Sequence, residues 1–339
     1  MPAGPGTTAV GRIGDDLVLP FHADRSPIMG RLVRLGPVVD EILNRHAYPE
    51  PVSVLLGEAL ALTAMVGTTL KSDHKLIVQT QTDGPVNLLV VHYETPGQMR
   101  GYARFDAGRL EALTARQSKP SAGTLLGRGH LALTIDPGHN MEQYQGIVAL
   151  DGDTLTDAAH AYFQQSVQLP TFIKLAVARH YAPGQNGGTN GDGTAAGFWR
   201  WRAGGLMVQH LTGEGGQRTR DARPGVVVEP VFNDDGFERA RILAATAEHH
   251  EMLDPLLVPE RLLYRLFHEE SVRVFDARPI SVTCRCSRER VARLLQLFPE
   301  PDIADMTETD GSISFTCEFC NTTQRFEVDD VAAARAANA

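Results

Sequence analysis

Cysteine is scarce in this chain of 339 residues: there are four, and none lies in the first 283 positions. So few thiols exclude a disulfide framework and favour a reducing compartment, so we expect a cytoplasmic protein. The sequence has no Gly-Lys dipeptide and no Gly-x-Ser-x-Gly elbow, which excludes a phosphate-binding P-loop and a serine nucleophile of the α/β-hydrolase type. No apolar run approaches the roughly 18 residues of a membrane span, and Met1–Gly6 lacks the pattern of a secretory signal. We therefore expect no enzyme active site and no membrane contact.

Positive charge is also in short supply. The chain has 32 Lys and Arg against 41 Asp and Glu, a formal net charge of −9 and a pI near 5.7. An acidic balance argues against a nucleic-acid-binding surface. The length leaves room for one large domain and one small one.

The four cysteines form two close pairs, Cys284 with Cys286 and Cys317 with Cys320. Two such pairs separated by about thirty residues predict a single four-cysteine zinc site. If the chain from Thr283 to Cys286 is extended, both sulfurs of the first pair project to one face. Zinc–sulfur bonds of about 2.3 Å place neighbouring sulfurs about 3.8 Å apart, and a small further approach allows a disulfide of about 2.05 Å. The cluster could be a redox switch or a permanently closed structural site.

The size of the cysteine-containing segment decides what loss of the metal would do. Roughly 57 residues follow Val282, too few to bury a stable hydrophobic core without a metal or a covalent cross-link. Structural zinc contributes an apparent ~10–16 kcal/mol in such domains, so oxidation of its ligands should unfold the segment. Ser287 is a predicted N-cap, which places Cys286 at the positive end of a helix and favours its thiolate. The apolar stripe of this helix consists of Val291, Leu294, Leu295 and Phe298. Three arginines lie close to Cys286 in the sequence: Arg285, Arg288 and Arg290.

Two other functions use similar cysteines. A thiol–disulfide oxidoreductase would use Cys317 and Cys320 catalytically, but such a motif normally begins a thioredoxin-like βαβ unit. A nucleic-acid-binding zinc ribbon would need a basic surface. The residues between the two pairs include several acids, Asp302, Asp305, Glu308 and Asp310, which argue against it.

The larger part of the chain alternates between helical and strand patterns, which predicts an α+β (mixed α/β) core. Predicted helices are Leu32–Leu43, Val52–Leu70 and Leu155–Gln165, and predicted strands are Lys75–Thr82, Val86–Tyr93, Gln98–Phe105, His130–Ile135, Gly146–Leu150, Ile173–Arg179 and Phe198–Leu211. The first ten residues are expected to be disordered, and the Gly/Asn-rich run 184–197 is expected to be a flexible connection. Trp199 and Trp201 are expected to pack in or beside the core.

Residues 233–279 carry both charge and helical apolar spacing. The apolar positions are Phe237, Ala240, Leu243 and Ala247, then Leu262, Leu263, Leu266 and Phe267. Such helices are marginal alone, so we expect them to dock on the core in the resting state. If docking requires a folded zinc segment, its unfolding would release an amphipathic surface and uncover the apolar face beneath.

The cysteine motifs and many other short runs along the chain resemble those of a known family. The run Cys284-Arg285-Cys286-Ser287-Arg288-Glu289-Arg290, with Cys317-Glu318-Phe319-Cys320-Asn321 downstream, is similar to the signature of the redox-regulated heat-shock protein 33 chaperones of bacteria. Other matching motifs are Gly57-Glu58-Ala59-Leu60, Leu70-Lys71, Gly84-Pro85-Val86, Arg100-Gly101-Tyr102-Ala103, Tyr144-Gln145-Gly146-Ile147-Val148, Tyr162-Phe163, Gln168-Leu169-Pro170-Thr171, Ala203-Gly204-Gly205-Leu206, Arg265-Leu266-Phe267-His268-Glu269-Glu270 and Val272-Arg273-Val274-Phe275. They cover roughly residues 15 to 328 in the family's order, which makes the resemblance more specific than a lone motif.

The resemblance implies an ATP-independent holdase that binds unfolding proteins under oxidative stress. Its domains would be a chaperone core at 1–229 with a flexible insertion at about 182–198, a helical redox-sensitive linker at 230–282, a zinc-binding redox-switch module at 283–330 and a tail at 331–339. In the reduced, inactive form, Cys284, Cys286, Cys317 and Cys320 would bind one zinc ion. Oxidation would form the disulfides Cys284–Cys286 and Cys317–Cys320, release the zinc and unfold the linker.

The same resemblance implies the partners. They are unfolded or partly folded client proteins and, in the oxidised form, a second copy of the chain; the reduced form would be a monomer, with no nucleic-acid or membrane partner. Three features depart from the family: Val167 where a glutamate is usual, the insertion at 184–197, and Thr322-Thr323-Gln324 in place of a basic and aromatic run. None of them removes a thiol.

Overall fold

The computed structural model describes residues 14–138, 141–152, 154–182, 197–211 and 235–328. The predicted disordered start, nearly all of the Gly/Asn-rich run and the predicted tail lie outside these residues.

Regular elements cover most of the described chain. The strands are β1 (Leu17–Ala23), β2 (Ile28–Leu35), β3 (Lys75–Thr82), β4 (Val86–Glu94), β5 (Gln98–Phe105), β6 (Arg128–Asp136), β7 (Tyr144–Asp151), β8 (Thr171–Ala182), β9 (Phe198–His210), β10 (Val272–Val274), β11 (Arg278–Pro279), β12 (Ser281–Val282), β13 (Ser312–Thr316) and β14 (Thr323–Glu327). The helices are α1 (Pro37–Asn44), α2 (Glu50–Gly67), α3 (Ala107–Arg116), α4 (Ala122–Leu126), α5 (Leu155–Tyr162), α6 (Asp235–Ala245), α7 (His249–Leu253), α8 (Pro259–Phe267), α9 (Arg288–Leu295) and α10 (Glu300–Met306). A π-helical turn, Phe163–Val167, extends α5, and a 3₁₀ turn, His268–Glu270, follows α8.

Two six-stranded sheets form the larger part of the fold. The first has the order β10-β1-β2-β9-β8, with β11 also paired to β1. The second has the order β12-β5-β4-β3-β6-β7. Its pairs are antiparallel except for β12, which lies parallel to β5. The predicted mixed α/β class is therefore confirmed.

Helix α2 lies between these sheets and contacts strands of both. Its buried residues are spread around its whole circumference, as expected of a central helix. By length and composition alone α2 could cross a membrane, but 78% of the relevant window is buried inside the protein. The first hydrophobic core surrounds it and draws apolar side chains from both sheets.

Helices α6, α7 and α8 cover the other face of the first sheet and form a second hydrophobic core. Its fully or nearly fully buried members include Phe21, Leu32, Leu206, Leu263 and Phe267. The rings of Phe21 and Phe267 stack with centroids 5.2 Å apart. The predicted helical spacing of residues 233–279 is therefore confirmed where the structure describes it, and the helices are docked.

The segment from residue 272 to 282, here called the strap, runs along the edges of both sheets. It carries β10 and β11, which pair with β1, and β12, which pairs with β5. Between these strands, the Ile280 amide donates to the Asp16 carbonyl at 2.7 Å. The Ser281 amide then donates at 2.9 Å to the carbonyl of Gly97, in the turn between β4 and β5 of the other sheet. The strap thus leads from the docked helices to the cysteine-containing segment.

Residues 284–328 form a small third unit, here called the thiol module. It contains α9, α10 and the hairpin of β13 and β14. Its core is five buried side chains: Val291, Leu295, Ile303, Ile313 and Phe326. A core this small needs an additional source of stability.

Two sequence predictions are wrong in part. Residues 32–35 of the predicted helix Leu32–Leu43 belong to β2, and α1 begins only at Pro37, which is suited to the first position of a helix. Trp199 is 62% exposed, whereas Trp201 is 4% exposed. The two side chains project to the same face of β9, but residues 198–200 at the start of the strand are exposed and residues 201–209 are buried. The sequence patterns also missed β1, where Pro20 interrupts the strand pattern.

Candidate functional site

The four cysteines lie at the ends of short elements of the thiol module. Cys284 follows β12 by two residues, and Cys286 lies two residues before α9. Cys317 directly follows β13, and Cys320 lies in the turn before β14. The Ser287 hydroxyl accepts a hydrogen bond from the Arg290 amide at 3.3 Å, which confirms the predicted N-cap.

The structure brings all four sulfurs to one point. Their Sγ atoms lie within 4.8 Å of one another. Cys284 Sγ is 3.3 Å from Cys286 Sγ and 3.6 Å from Cys317 Sγ, and Cys286 Sγ is 3.1 Å from Cys320 Sγ. All four are free thiols in this structure. The cluster could therefore hold a metal ion.

Backbone geometry shapes the second pair. The Cys317 amide donates to the Thr322 carbonyl at 3.1 Å, and the Asn321 amide donates back to the Cys317 carbonyl at 2.8 Å. Asn321 adopts a left-handed conformation with φ of 56°, which asparagine tolerates better than most residues. The side chain of Gln324 donates to the Cys286 carbonyl and so ties the two pairs together.

The close packing of the four thiols shifts their pKa values. Burial, together with hydrogen bonds to the neighbouring thiols, raises the pKa of Cys286, and burial raises that of Cys317. Burial acts in the same direction on Cys320, but hydrogen bonds from Thr322 and Cys286 outweigh it and lower the pKa of Cys320 to about 6. Without a cation, the raised pKa of Cys286 opposes the thiolate predicted at this position, because thiols this close resist joint ionisation. A bound metal would change this by adding positive charge.

The thiol module docks on the second sheet through a residue inside its second cysteine pair. The ring of Phe319 lies 4.9 Å from the ring of Tyr102 in an edge-to-face arrangement and 5.0 Å from the ring of His92. The guanidinium of Arg100 lies over the Phe319 ring, 4.1 Å from its centroid. Aromatic and cation–π contacts of this kind stabilise an interface beyond simple area burial.

A residue inside the first cysteine pair makes a second contact. Arg285 forms an ion pair with Glu94 at the end of β4, whose side chain is 15% exposed. On the other side, the Asn321 side chain donates to the Arg45 carbonyl at 2.9 Å. Both cysteine pairs therefore enclose a residue that contacts the core.

His92 is held neutral at this interface. Burial, aided by the charges of Arg100 and Arg285, lowers the pKa of His92 to about 4. The neutral imidazole can then accept a hydrogen bond at Nδ1, which lies 3.0 Å from Nη2 of Arg100. The interface thus accommodates two arginines beside a ring that carries no charge.

Two buried arginines of the first sheet bind the backbone of the docked helices. Arg34 is 1% exposed and donates to the carbonyls of Met252 at 3.2 Å and Glu251 at 3.0 Å. Arg202 donates to the carbonyl of Leu253 at 2.6 Å and forms an ion pair with Asp15. The core therefore binds α7 by backbone groups that any sequence would present.

A buried ionic cluster joins α6, the end of α8 and the first hairpin. Glu270 is 5% exposed and accepts hydrogen bonds from the Ser26 hydroxyl at 2.5 Å and from Arg239 Nε at 2.7 Å. The hydrogen bond from Arg239, followed by that from Ser26, lowers the pKa of Glu270. This cluster links the docked helices to the core.

Sequence reasoning identified the four cysteines but not the docking contacts of Arg285 and Phe319. One signal was available for Phe319. A turn that only presents two sulfurs to a metal has no need of a large apolar residue between them, so its ring requires a partner outside the turn. The partners, Tyr102 and His92, lie on strands whose neighbourhood the sequence does not define.

The architecture defines the class: a mixed α/β protein with docked helices and a small C-terminal module that clusters four thiols. The family model described as Hsp33 protein matches residues 16–327. A protein of Caulobacter vibrioides named 33 kDa chaperonin is 41% identical over 308 residues, which cover 91% of this chain and 93% of the relative. A 33 kDa chaperonin of Photorhabdus laumondii is 36% identical over 311 residues, or 91% of this chain and 92% of the relative.

A solved structure has the same fold. The 33 kDa chaperonin, or heat shock protein 33 homolog, of Thermotoga maritima matches with a TM-score of 0.72 at 21% identity, over 95% of this chain and 98% of that one. The chain belongs to the Hsp33 family. The resemblance noted in its sequence is thereby confirmed.

Proposed function

We propose that this protein is a redox-regulated, ATP-independent holdase chaperone that binds unfolding proteins and prevents their aggregation under oxidative stress. Membership of a family whose relatives are named 33 kDa chaperonins supports the chaperone function. The observation that carries the regulation is the convergence of four thiols within 4.8 Å in a module that docks on the core. A chaperone of this kind withholds unfolded chains from aggregation without chemical work.

The proposed domains are those expected from the sequence: a core at 1–229, a linker at 230–282, a redox-switch module at 283–330 and a tail at 331–339. The second hydrophobic core supports the linker assignment, because α6, α7 and α8 pack there on the first sheet. The separate small core of the thiol module supports the third domain.

The donor set suits one zinc ion held by Cys284, Cys286, Cys317 and Cys320. Sulfur separations of 3.1–3.6 Å approach the roughly 3.8 Å of tetrahedral zinc thiolates. When bound, zinc would stabilise four thiolates together and supply the folding free energy that the small core lacks.

Oxidation would convert the ligands to disulfides. Formation of Cys284–Cys286 and Cys317–Cys320 makes two S–S bonds and releases two electrons from each pair of thiolates. Hydrogen peroxide accepts these electrons, together with two protons from solvent, as its O–O bond breaks, giving two water molecules for each disulfide. The sulfurs can no longer act as thiolate ligands, so the metal is lost and the module unfolds.

Unfolding of the module would remove the contacts that hold the strap. Phe319 and Arg285 lie inside the cysteine pairs, so their docking contacts on Tyr102 and Glu94 depend on the local fold of those pairs. The linker helices would then undock, uncovering the apolar face of the first sheet and releasing their own apolar sides. Both surfaces are candidates for client binding.

The partners proposed are unfolded or partly folded proteins and, after oxidation, a second copy of the chain, whereas the reduced form is a monomer. We place the protein in the cytoplasm, where a reducing environment keeps the thiols available. No catalytic residue, nucleic-acid partner or membrane partner is proposed.

Light scattering of a heat-unfolding client enzyme tests the proposal. Reduced, zinc-loaded protein is compared with peroxide-treated protein at raised temperature, while zinc release and free thiols are counted in parallel. We expect only the oxidised form to suppress aggregation, with zinc released as the thiols disappear. Equal suppression by both forms would contradict the switch.

A cysteine variant tests the disulfide assignment. Cys286→Ser cannot form the Cys284–Cys286 bond. If this variant binds zinc normally and activates on the wild-type timescale, the assigned disulfide is wrong. Turnover of a dithiol substrate or salt-dependent retention on RNA would instead favour an oxidoreductase or a nucleic-acid-binding ribbon.

A further inference from the structure

A cavity of about 880 Å³ lies between β2, the end of α2 and the strap, away from the four thiols. Two arginines line it, Arg31 from β2 and Arg278 from the strap. Much of the remaining wall is apolar and includes Met29, Tyr93 and Phe275. A volume of this order accommodates a small organic molecule.

Arg31 is an unusual buried cation. It is 9% exposed, and its Nε is buried without a hydrogen-bond partner. Its Nη1 donates to the Gln209 side-chain oxygen at a long 3.3 Å, and its Nη2 approaches the Met29 sulfur at 4.0 Å. Both partners are neutral, and within the described residues Arg31 has no ion pair. A buried guanidinium in such surroundings lacks the counter-charge that usually offsets its desolvation.

Arg278 adds a second positive charge to the cavity, which already has the charge of Arg31, unpaired among the described residues. Arg278 is exposed and donates from Nη1 to the Thr68 carbonyl at 2.8 Å, leaving the rest of its guanidinium available within the described structure. Burial and the charge of Arg278 lower the pKa of Arg31 to about 10, so Arg31 remains protonated at neutral pH. Asp276 is the carboxylate in the described cavity wall, and it forms no ion pair with either arginine.

The apolar wall indicates what kind of anion would fit. Phe275 and Val274 of the strap are 47% and 40% exposed, and both line the cavity. Leu70 and Pro96 line it from the core. A bare inorganic ion would leave these surfaces in contact with water, whereas an apolar body attached to the anion would cover them.

We propose that this cavity is a binding site for a small organic anion, with a carboxylate or phosphate group at Arg31 and Arg278 and an apolar body against Phe275 and Val274. The two arginines supply charge-assisted hydrogen bonds, which are stronger than neutral ones. One arginine belongs to the core and the other to the strap, so the ligand bridges the two.

A ligand that bridges the core and the strap would affect activation, an effect that rests on the proposed function. A bound anion would hold the strap against the core and delay its release after oxidation. The binding itself does not depend on chaperone activity, so the two proposals can fail separately.

Titration calorimetry on reduced, zinc-loaded full-length protein tests the site. The probes are 3-phenylpropionate and phenyl phosphate, with 3-phenylpropanol as the neutral analogue and inorganic phosphate as the anion without an apolar body. We expect saturable binding of at least one organic anion, at least about tenfold tighter than the alcohol and inorganic phosphate. The two organic anions distinguish a carboxylate from a phosphate ligand.

Three variants locate the binding. Arg31→Met should weaken binding at least about tenfold, because it removes the buried charge, and it should not lower the melting temperature of the free protein. Arg278→Gln lies on the exposed strap and should weaken binding several-fold, which keeps the test valid if Arg31→Met folds poorly. Arg116→Gln, at an exposed position of α3, should leave binding unchanged.

Three results with the organic anions would each overturn the proposal. They are no saturable binding of either organic anion up to millimolar concentration, equal affinity for the neutral alcohol, or equal affinity of wild type and both cavity variants. Binding of inorganic phosphate as tightly as phenyl phosphate would also overturn it, since the apolar wall would then contribute nothing.

Discussion

Phe319 and Tyr102 meet edge to face across the boundary between the thiol module and the second sheet, with ring centroids 4.9 Å apart. Phe319 lies between Cys317 and Cys320, so the contact is made by the same turn that presents two sulfurs. The state of the thiols and the docking of the module are therefore linked through one short stretch of backbone.

Replacement of Phe319 should loosen the module without removing a thiol. Phe319→Ala deletes the contacts with Tyr102, His92 and Arg100, which together are worth about 1–3 kcal/mol. We predict a roughly 5- to 150-fold weaker docking equilibrium, since a free energy of this size changes an equilibrium constant by that factor. Hydrogen exchange of the strap amides measures the change, and the zinc content should stay at one per chain. Trp199→Ala, at a 62% exposed ring elsewhere, is the control; equal exchange in both variants would contradict the prediction.

Charge reversal tests the contact of the first cysteine pair. Arg285→Glu and Glu94→Arg should each weaken docking by about 1 kcal/mol or more, because each places like charges together at a partly buried site. The double variant should recover most of the loss, measured by the same strap exchange. The control reverses Arg325, which pairs with Asp310 inside the module at 56% and 54% side-chain exposure. If the double variant docks no better than the single variants, the ion pair between Arg285 and Glu94 does not contribute to docking.

Glu270 should make linker docking weaker in acid. Because Arg239 lowers its pKa in the folded state, its contribution is fully present above the unfolded value of about 4.5 and is lost as pH falls through the folded value. Glu270→Gln should cost about 1–3 kcal/mol at pH 7 and progressively less as the pH falls through the lowered pKa of Glu270, measured by urea unfolding from pH 7 into acid. Glu238→Gln changes an exposed carboxylate paired with Arg241 on α6 and serves as the control. Equal effects of both variants would contradict the prediction.

Glu58 should have the opposite pH dependence. This carboxyl lies on α2, no described residue donates a hydrogen bond to it, and burial raises its pKa to about 7. The contribution of Glu58 to stability is therefore greatest below the unfolded value of 4.5 and falls as pH rises to about 7. Glu58→Gln should raise stability at pH 8 by up to about 3 kcal/mol and flatten the profile. Glu50→Gln, at the exposed start of the same helix, should do neither; a wild-type profile that does not fall between pH 5 and 7 would contradict the assignment.

Removal of zinc should unfold one part of the molecule. Under reducing conditions, a chelator should abolish the amide protection of β13 and β14, because a core of five residues would need the proposed metal to stay folded. Strands β3 and β4 belong to the large core and should keep their protection. Retained protection of β13 and β14 in metal-free protein would contradict the dependence.

The elements that the sequence predicts best are those with strong local patterns. β3 and β5 have the predicted bounds, since alternation of apolar and polar residues is a property of the strand itself. The N-cap at Ser287 and the convergence of the four cysteines follow from local spacing in the same way. The structure contradicts the helix predicted to begin at Leu32, because the apolar spacing of a buried strand also fits a helix.

Long-range relationships were not predictable from these patterns. The partners of Phe319 and Arg285 lie in distant strands, and nothing local indicates which strand faces the module. The thiol pKa values depend on the distances between all four sulfurs, which a local argument from Ser287 and the arginines around Cys286 does not include. The sequence identified the chemistry of the site but not the surface on which the site acts.

The strap pairs with β1 in one sheet and with β5 in the other. A detached strap would leave two open borders of unpaired amides and carbonyls, one beside each stretch it had covered. Extended polypeptides add to such borders as extra strands, through backbone groups that every client shares. Under the proposed function, the strap would at rest cover these two sheet edges and so prevent uncontrolled self-association.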